Sequence, residues 1–320
     1  MPLILPCTGT SAKKAAMAIM KGHLVAFPTE TVYGLGADAS NKRAVERIYE
    51  VKNRPKDHPL IVHVSSAAQI DKWAVNIPDY AITLATDFWP GPMTLVLRKS
   101  SLAKDFVTGG QETIALRVPS HPASRKLIKE FEMLGGSGIA APSANKFGAV
   151  SPTEASHVVN DLSNSLNSDD LILDCGSSNI GLESTIINCT ESYLSVLRPG
   201  SITLKNIQNS VNVPIREHSS EIKFSGNMSS HYAPKAKILY DSKVSPGDGF
   251  IAMGSVPTPK GAFRLLAPKT KTEFARNLYN SFRRADLLKI DRVIVVLPEG
   301  DGLSLAIRDR IIKAGGKLNA

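Results

Sequence analysis

The chain has 320 residues, 42% of them hydrophobic and 21% charged, with mean hydropathy of −0.05. That balance is ordinary for a folded globular protein and excludes wholesale disorder, while the apolar runs at 24–27, 60–62 and 293–297 fall far short of the roughly 18–20 residues that span a bilayer. Thirty-eight Lys and Arg against 29 Asp and Glu leave a net charge of +9, which favours anionic ligands such as nucleotides, phosphates or nucleic acid, or equally describes a lysine-rich solvated surface.

The length favours two domains. A first α/β stretch runs over 1–207. Ser11 caps a helix over 12–21 that Gly22 closes, and a strand follows at 23–27. Ala44, Val45, Ile48 and Val51 give residues 41–52 a helical period, which Pro55 stops. A strand is expected at 60–64, a helix at 65–75, strands at 93–98 and 113–118, and a helix between 120 and 134. Further strands are expected at 139–141, 171–173, 184–189 and 194–197, with a helix at 153–162. Residues 208–235 are small and polar and read as a linker. Residues 236–320 restart the alternation, with strands at 238–240, 249–253 and 292–297 and helices at 272–285 and 303–314. The pattern implies a mixed-sheet α/β domain followed by a smaller Rossmann-like one.

Cys7, Cys175 and Cys189 are odd in number and far apart, with no CxxC pair, so unpaired thiols in a reducing cytosol are expected rather than a disulfide or a cysteine zinc site. The first residues lack the basic and long apolar regions of a signal peptide, which fits a cytoplasmic location. No Walker A loop and no HxxxH pair occur, so ATP would need another cradle and a zinc enzyme is not indicated. Gly34-Leu35-Gly36-Ala37-Asp38-Ala39 has the outline of a dinucleotide fingerprint, but it follows a loop and no acidic residue closes a strand beyond it.

Four segments place polar groups at turns beside strands. Residues 27–36 (FPTETVYGLG) carry hydroxyls and glycines that permit close backbone approach, or form an ordinary turn. Lys52, Arg54 and Lys56 gather at a helix end, where they serve the helix dipole or a phosphate. Residues 141–145 (APSAN) and 151–153 either hydrogen-bond a ligand or cap the next helix. Residues 181–186 (GLESTI) and 197–200 (LRPG) place Arg198 at a strand end.

Taken together with PGPMTLVL (90–97), ALRVPSHP (115–122) and SHYAP (230–234), these segments closely resemble the two-domain L-threonylcarbamoyladenylate synthases, whose catalytic domain is YrdC-like. The resemblance covers nearly the whole chain and, in the last domain, rests on GLSLAIRDRIIKA (302–314). It implies a twisted open mixed sheet with a cationic cavity, joined to the Rossmann-like domain. It also implies formation of threonylcarbamoyl-AMP and pyrophosphate from L-threonine, bicarbonate and ATP, for a modified adenosine beside the tRNA anticodon. Lys52 and Arg54 would then stand at the catalytic centre. Thr31, His63, Arg117, Ser143 and Ser184 would hold threonine, with Arg117 facing its carboxylate. Arg54, His58, Thr113, Asn145, Ser151, Arg198 and Tyr232 would bind ATP, Tyr232 closing over it from a linker that acts as a lid. Magnesium would arrive with the phosphates rather than on protein side chains. A downstream tRNA threonylcarbamoyl transferase, and tRNA itself, are the implied partners.

Two positions depart from the family pattern. His58 stands where asparagine is usual, and Lys146 stands where a glycine–arginine pair is common, as a replacement cation. Two other readings share the anion site: a non-catalytic RNA-binding module, and hydrolysis of a carbamoyl phosphate-type compound. The charge is uneven. Residues 236–320 hold 15 basic and 8 acidic residues, against 23 and 21 in residues 1–235, so the first domain must bind anions with a few aimed cations.

Overall fold

The computed structural model describes residues 1–217, 222–226, 228 and 231–316. Ser219, Ser220, Asn227, Ser229 and Ser230 of the linker lie outside the described residues. In chain order the first domain runs β1 (Leu3–Pro6), α1 (Gly9–Met20), β2 (Val25–Phe27), β3 (Gly34–Asp38), α2 (Lys42–Lys52), β4 (Ile61–His63), α3 (Ile70–Trp73), β5 (Ala74–Val75), α4 (Asp79–Phe88) and β6 (Met93–Lys99). It continues with α5 (Asp105–Thr108), β7 (Thr113–Arg117), α6 (Pro122–Met133), β8 (Ile139–Ala140), α7 (Ala155–Leu162), β9 (Leu171–Asp174), β10 (Thr185–Asn188), β11 (Ser195–Arg198) and α8 (Leu204–Ser210).

These strands form one mixed sheet in the order β1-β9-β2-β3-β8-β4-β7-β6-β10-β11, with β5 paired to β6. After the linker come β12 (Lys237–Tyr240), β13 (Gly249–Ile251), β14 (Phe263–Leu266), α9 (Lys271–Leu287), β15 (Arg292–Val295) and α10 (Leu303–Gly315). The second sheet, β12-β15-β13-β14, is wholly parallel, as expected of a Rossmann-like unit.

Three expectations are corrected. The span 65–75 is not one helix. Trp73 is buried with its indole Nε1 donating to the Ser137 carbonyl, and the chain then leaves α3 to pair with β6. Thr8, not Ser11, caps α1, its hydroxyl accepting from the Ser11 N–H. The glycine-rich segment lies in β3, antiparallel to β2 and β8, and is no dinucleotide turn, as its setting in the sequence already indicated. Cys7 and Cys175 form a disulfide. Their separation of 168 residues hid it, because β1 and β9 pair in parallel with Pro6 opposite Asp174, and the next residue of each strand is a cysteine. Cys189 stays a buried free thiol, and burial pushes its pKa up.

One core packs on the large sheet around Ile48, Trp73, Leu95 and Leu116. Another is shared between the domains: Val32, Val150 and Leu182 pack with Phe274, Leu278 and Ile307. Gly181 lies so close to α9 that a Cβ there would sit 2.5 Å from the Arg276 carbonyl. The second domain is therefore docked on the face that carries the 29–33, 145–153 and 181–184 loops.

Candidate functional site

The loops at the ends of β2, β4, β7 and β11 surround one narrow cavity. Thr31, Lys52, Arg54, His63, Arg117, Ser143, Asn145, Ser184, Arg198 and Tyr232 all line it.

Helix α2 supplies its first two cations. Asn41 caps its start by accepting from the Ala44 N–H, and Asn53 ends it in the left-handed region at φ 54°. That turn leaves Lys52 and Arg54, on either side of it, both in the cavity wall. Lys52 is 1% exposed, and its ammonium donates to the carbonyls of Ser143 (2.6 Å) and Asn145 (2.5 Å). Burial, with Arg54 nearby, pulls its pKa well down. Arg54 donates to the Pro59 carbonyl at 3.0 Å and stacks over Phe147 at 5.5 Å, while burial draws its pKa to about 10.

Parallel pairing of β4 and β7 sets His63 opposite Arg117. Burial, then Arg117, pushes His63 down to about 3, so the ring is neutral, and its Nδ1 has no partner among the described residues. Arg117 uses three of its five N–H groups within the protein: on Gly91 O (3.2 Å), Thr31 Oγ1 (3.0 Å) and Glu30 Oε1 (2.6 Å). Burial favours a neutral Glu30, but the charge of Arg117 and its hydrogen bond hold the pKa below the usual carboxylate range. Sequence reasoning passed over Glu30, although it sits inside FPTETVYGLG. The fork of Arg117 is thus partly engaged before any carboxylate ligand arrives.

Three strands along from β7 in the sheet, Arg198 at the end of β11 donates to Ser184 O (3.0 Å) and Ser184 Oγ (3.1 Å), and Ser184 shares a 2.7 Å hydrogen bond with Thr94 of β6. The linker returns over this strand end. Arg198 also donates to Ser225 O at 2.8 Å, and the Ala233 N–H donates to Gly148 O. Tyr232 is buried at φ +63°, a conformation that side chains rarely adopt, and it stacks on Tyr279 with ring centroids 5.7 Å apart. Its hydroxyl has no partner among the described residues, and a Cβ on Gly226 would come within 2.4 Å of it.

Three predicted residues stand apart from the lining. Thr113 lies in an adjoining depression with Pro59, Gln111 and Phe224, which shares Ile61 and Ser225 with the main cavity. His58 sits edge-on to Phe147, a lining residue, at 5.3 Å. Ser151 is fully buried one layer back and donates to Glu183 Oε1 at 2.6 Å. Lys146 is not the replacement cation. Its ammonium donates to Val51 O and Ser165 Oγ, and it does not line the cavity. Phe147, Glu183 and His231 also line the cavity; Glu183 and His231 sit in the GLESTI and SHYAP segments, but none of the three was given a role from the sequence.

Among the described residues no cluster of His, Cys, Asp or Glu is arranged to hold a metal ion. The lining carboxylate Glu183 is paired with Arg310, and Glu30 beside the cavity with Arg117. No described helix is long and apolar enough to cross a membrane.

The comparisons with known proteins agree with this geometry. Residues 17–200 match the Sua5/YciO/YrdC family, described as telomere recombination, and residues 202–316 match the threonylcarbamoyl-AMP synthase C-terminal domain. A threonylcarbamoyl-AMP synthase of Pyrococcus abyssi is 40% identical, covering 94% of this chain and 93% of its own length. One of Bacillus subtilis is 37% identical over 95% and 92%. The solved P. abyssi Sua5 complexed with L-threonine superposes with a TM-score of 0.88 at 37% identity, covering 98% of this chain and 97% of that one.

Proposed function

The chain belongs to the threonylcarbamoyl-AMP synthase family, and we propose that its cavity joins L-threonine, bicarbonate-derived carbon dioxide and ATP into threonylcarbamoyl-AMP with release of pyrophosphate. The carrying observation is the segregation of the cavity. Neutral His63, Thr31 and Arg117, which Glu30 pairs from beside the cavity, make one group, and Arg54 and Arg198 make another, both reaching Ser225 of the linker.

The first group suits a zwitterion. Arg117 has two N–H groups left for a carboxylate, Ser184 and Thr31 supply hydroxyls, and Ser143 lines the same cavity. The threonine amine attacks carbon dioxide and loses a proton, leaving a carbamate. A carbamate oxygen then attacks the α-phosphorus, and the bond to the pyrophosphate oxygen breaks. No enzyme nucleophile is required, so orientation and charge neutralisation carry the rate. Lys52 fixes the APSAN loop through two carbonyls and lines the cavity. Arg54, Asn145 and Arg198 receive the phosphates, Thr113 and His58 flank the base and ribose, Ser151 backs the wall, and Tyr232 closes the lid.

Magnesium fits this site only as part of the nucleotide complex, because both nearby carboxylates are already neutralised by arginines. It would supply charge compensation on the leaving pyrophosphate. The tRNA-modifying reaction, not the cysteines, two of which are paired, implies a cytoplasmic setting, with the labile product handed to a tRNA-modifying transferase. The basic second domain is the surface suited to meeting tRNA or that transferase.

Pyrophosphate release by the purified chain tests the reading. Release should require ATP, threonine and bicarbonate together. Turnover without threonine would point instead to hydrolysis of a carbamoyl phosphate-type compound, and salt-dependent tRNA binding without turnover to a non-catalytic RNA-binding module.

A further inference from the structure

We propose that Arg310, on the last helix of the second domain, is a positioning residue for the nucleotide end of the cavity, acting through Glu183. The inference rests on the reading of that end as the ATP subsite. Arg310 is fully buried and does not line the cavity. It nevertheless makes three bonds across the domain interface: Nε to Glu183 Oε2 (2.9 Å), Nη1 to Pro199 O (2.8 Å) and Nη2 to Glu183 O (3.5 Å).

Each contact ends one residue or one hydrogen bond from a proposed ligand-binding group. Glu183 Oε1 accepts from Ser151, Pro199 follows Arg198, and Ser184 follows Glu183. Tyr279 of α9 donates to the same Glu183 Oε2 at 2.9 Å, and Arg283 of α9 holds Val150 O beside Ser151. The second domain thus sets the backbone on both sides of Arg198 and holds the carboxylate that orients Ser151.

The charge arrangement gives the reason. Glu183 lies in a cavity whose function needs free cations, and Arg198 is the nearest competitor for it. Burial raises the cost of the Glu183 charge, yet Arg310 first and Arg198 second keep its pKa at about 2. While Arg310 neutralises Glu183, Arg198 has only hydroxyl and carbonyl partners and no carboxylate partner among the described residues, so its charge is left for a phosphate. Without Arg310, the buried carboxylate turns to Arg198 and withdraws that cation from ATP.

Calorimetry of ATP and of threonine on the full chain tests this with Arg310→Met and with Arg310→Met/Glu183→Gln. The single variant should weaken ATP binding about tenfold and leave threonine binding within about twofold. The double variant, which removes the stranded charge, should recover ATP affinity to within about threefold of wild type. Unchanged ATP affinity, equal loss of both ligands, or no recovery in the double variant would overturn the proposal. If Arg310→Met does not fold, Arg310→Lys keeps the charge but cannot fork to both Glu183 and Pro199. It should weaken ATP about threefold with threonine unaffected, and wild-type ATP affinity there overturns the proposal. The wild-type titration judges the nucleotide reading separately: a native chain that binds no ATP sinks that reading before any variant is made.

Discussion

The guanidinium of Arg198 donates to the main-chain carbonyl of Ser225 at 2.8 Å, so a linker residue occupies a cation of the cavity. Arg54 reaches the Ser225 hydroxyl at 3.5 Å, and Lys313 of α10 holds the next carbonyl, Gly226 O, at 2.8 Å. A charged phosphate is a stronger partner for a guanidinium than a carbonyl. A non-hydrolysable ATP analogue should therefore release residues 222–226, raising their amide exchange about tenfold or more, while threonine alone should not. Exchange unaltered by the analogue would show that nucleotide binds without moving the linker.

The Arg117–Glu30 pair predicts two separable effects. Both side chains are almost wholly buried, so Glu30→Gln leaves a buried guanidinium undercompensated and should cost about 3–5 kcal/mol in urea denaturation. Arg117→Ala should abolish threonine binding and leave ATP binding within about twofold in calorimetry. Equal weakening of the two ligands would refute the assignment of Arg117.

Acid should destabilise the fold through its histidines. Burial pushes His63 and His231 down to about 3 and His157 to about 4. Their folded pKa values lie below that of free imidazole, so the unfolded chain binds more protons. The stabilising difference is fully present above about pH 6.5 and is lost as pH falls from there toward 3–4. Each ring contributes a slope of up to about 1.4 kcal/mol per pH unit. Between about pH 5 and 6.5 the paired carboxylates are still ionised in both states, so denaturation midpoints in that window report the histidines. His58 and His121 are pushed down by burial as well, so His231→Gln should flatten the slope by between about a fifth and a third, and stability independent of pH across the window would contradict the burial argument.

The disulfide closes a loop of 168 residues, so reduction should lower stability by about 5 kcal/mol on the chain-entropy account. Under denaturing, non-reducing conditions only Cys189 should react with an alkylating reagent, and all three thiols after reduction. Three reactive thiols without reductant would show that the bond does not form.

Legibility in the sequence followed local physics. The period of α2 and the strand ends bearing His63, Arg117 and Arg198 are encoded within a few residues and were read, whereas the Asn41 cap and the left-handed Asn53 turn are as local and were passed over. What depends on distant pairing was not. Cys7 and Cys175 meet only because β1 and β9 are neighbours, and Glu30 meets Arg117 only once β7 is in place. Lys146 looked like a cavity cation, yet it turns to the Val51 carbonyl, because a charge in a loop carries no sign of its direction. Glu183 and Arg310 lie 127 positions apart, and neither is remarkable alone.

The central claim is that this cavity builds threonylcarbamoyl-AMP. Incubating the purified chain with ATP, threonine and heavy-carbon bicarbonate, followed at once by mass spectrometry, tests it most directly. The account predicts an AMP conjugate of threonine that carries one heavy carbon, formed in equal amount with pyrophosphate and absent when threonine is left out. Pyrophosphate or AMP released with no labelled conjugate, or in equal yield without threonine, would contradict it.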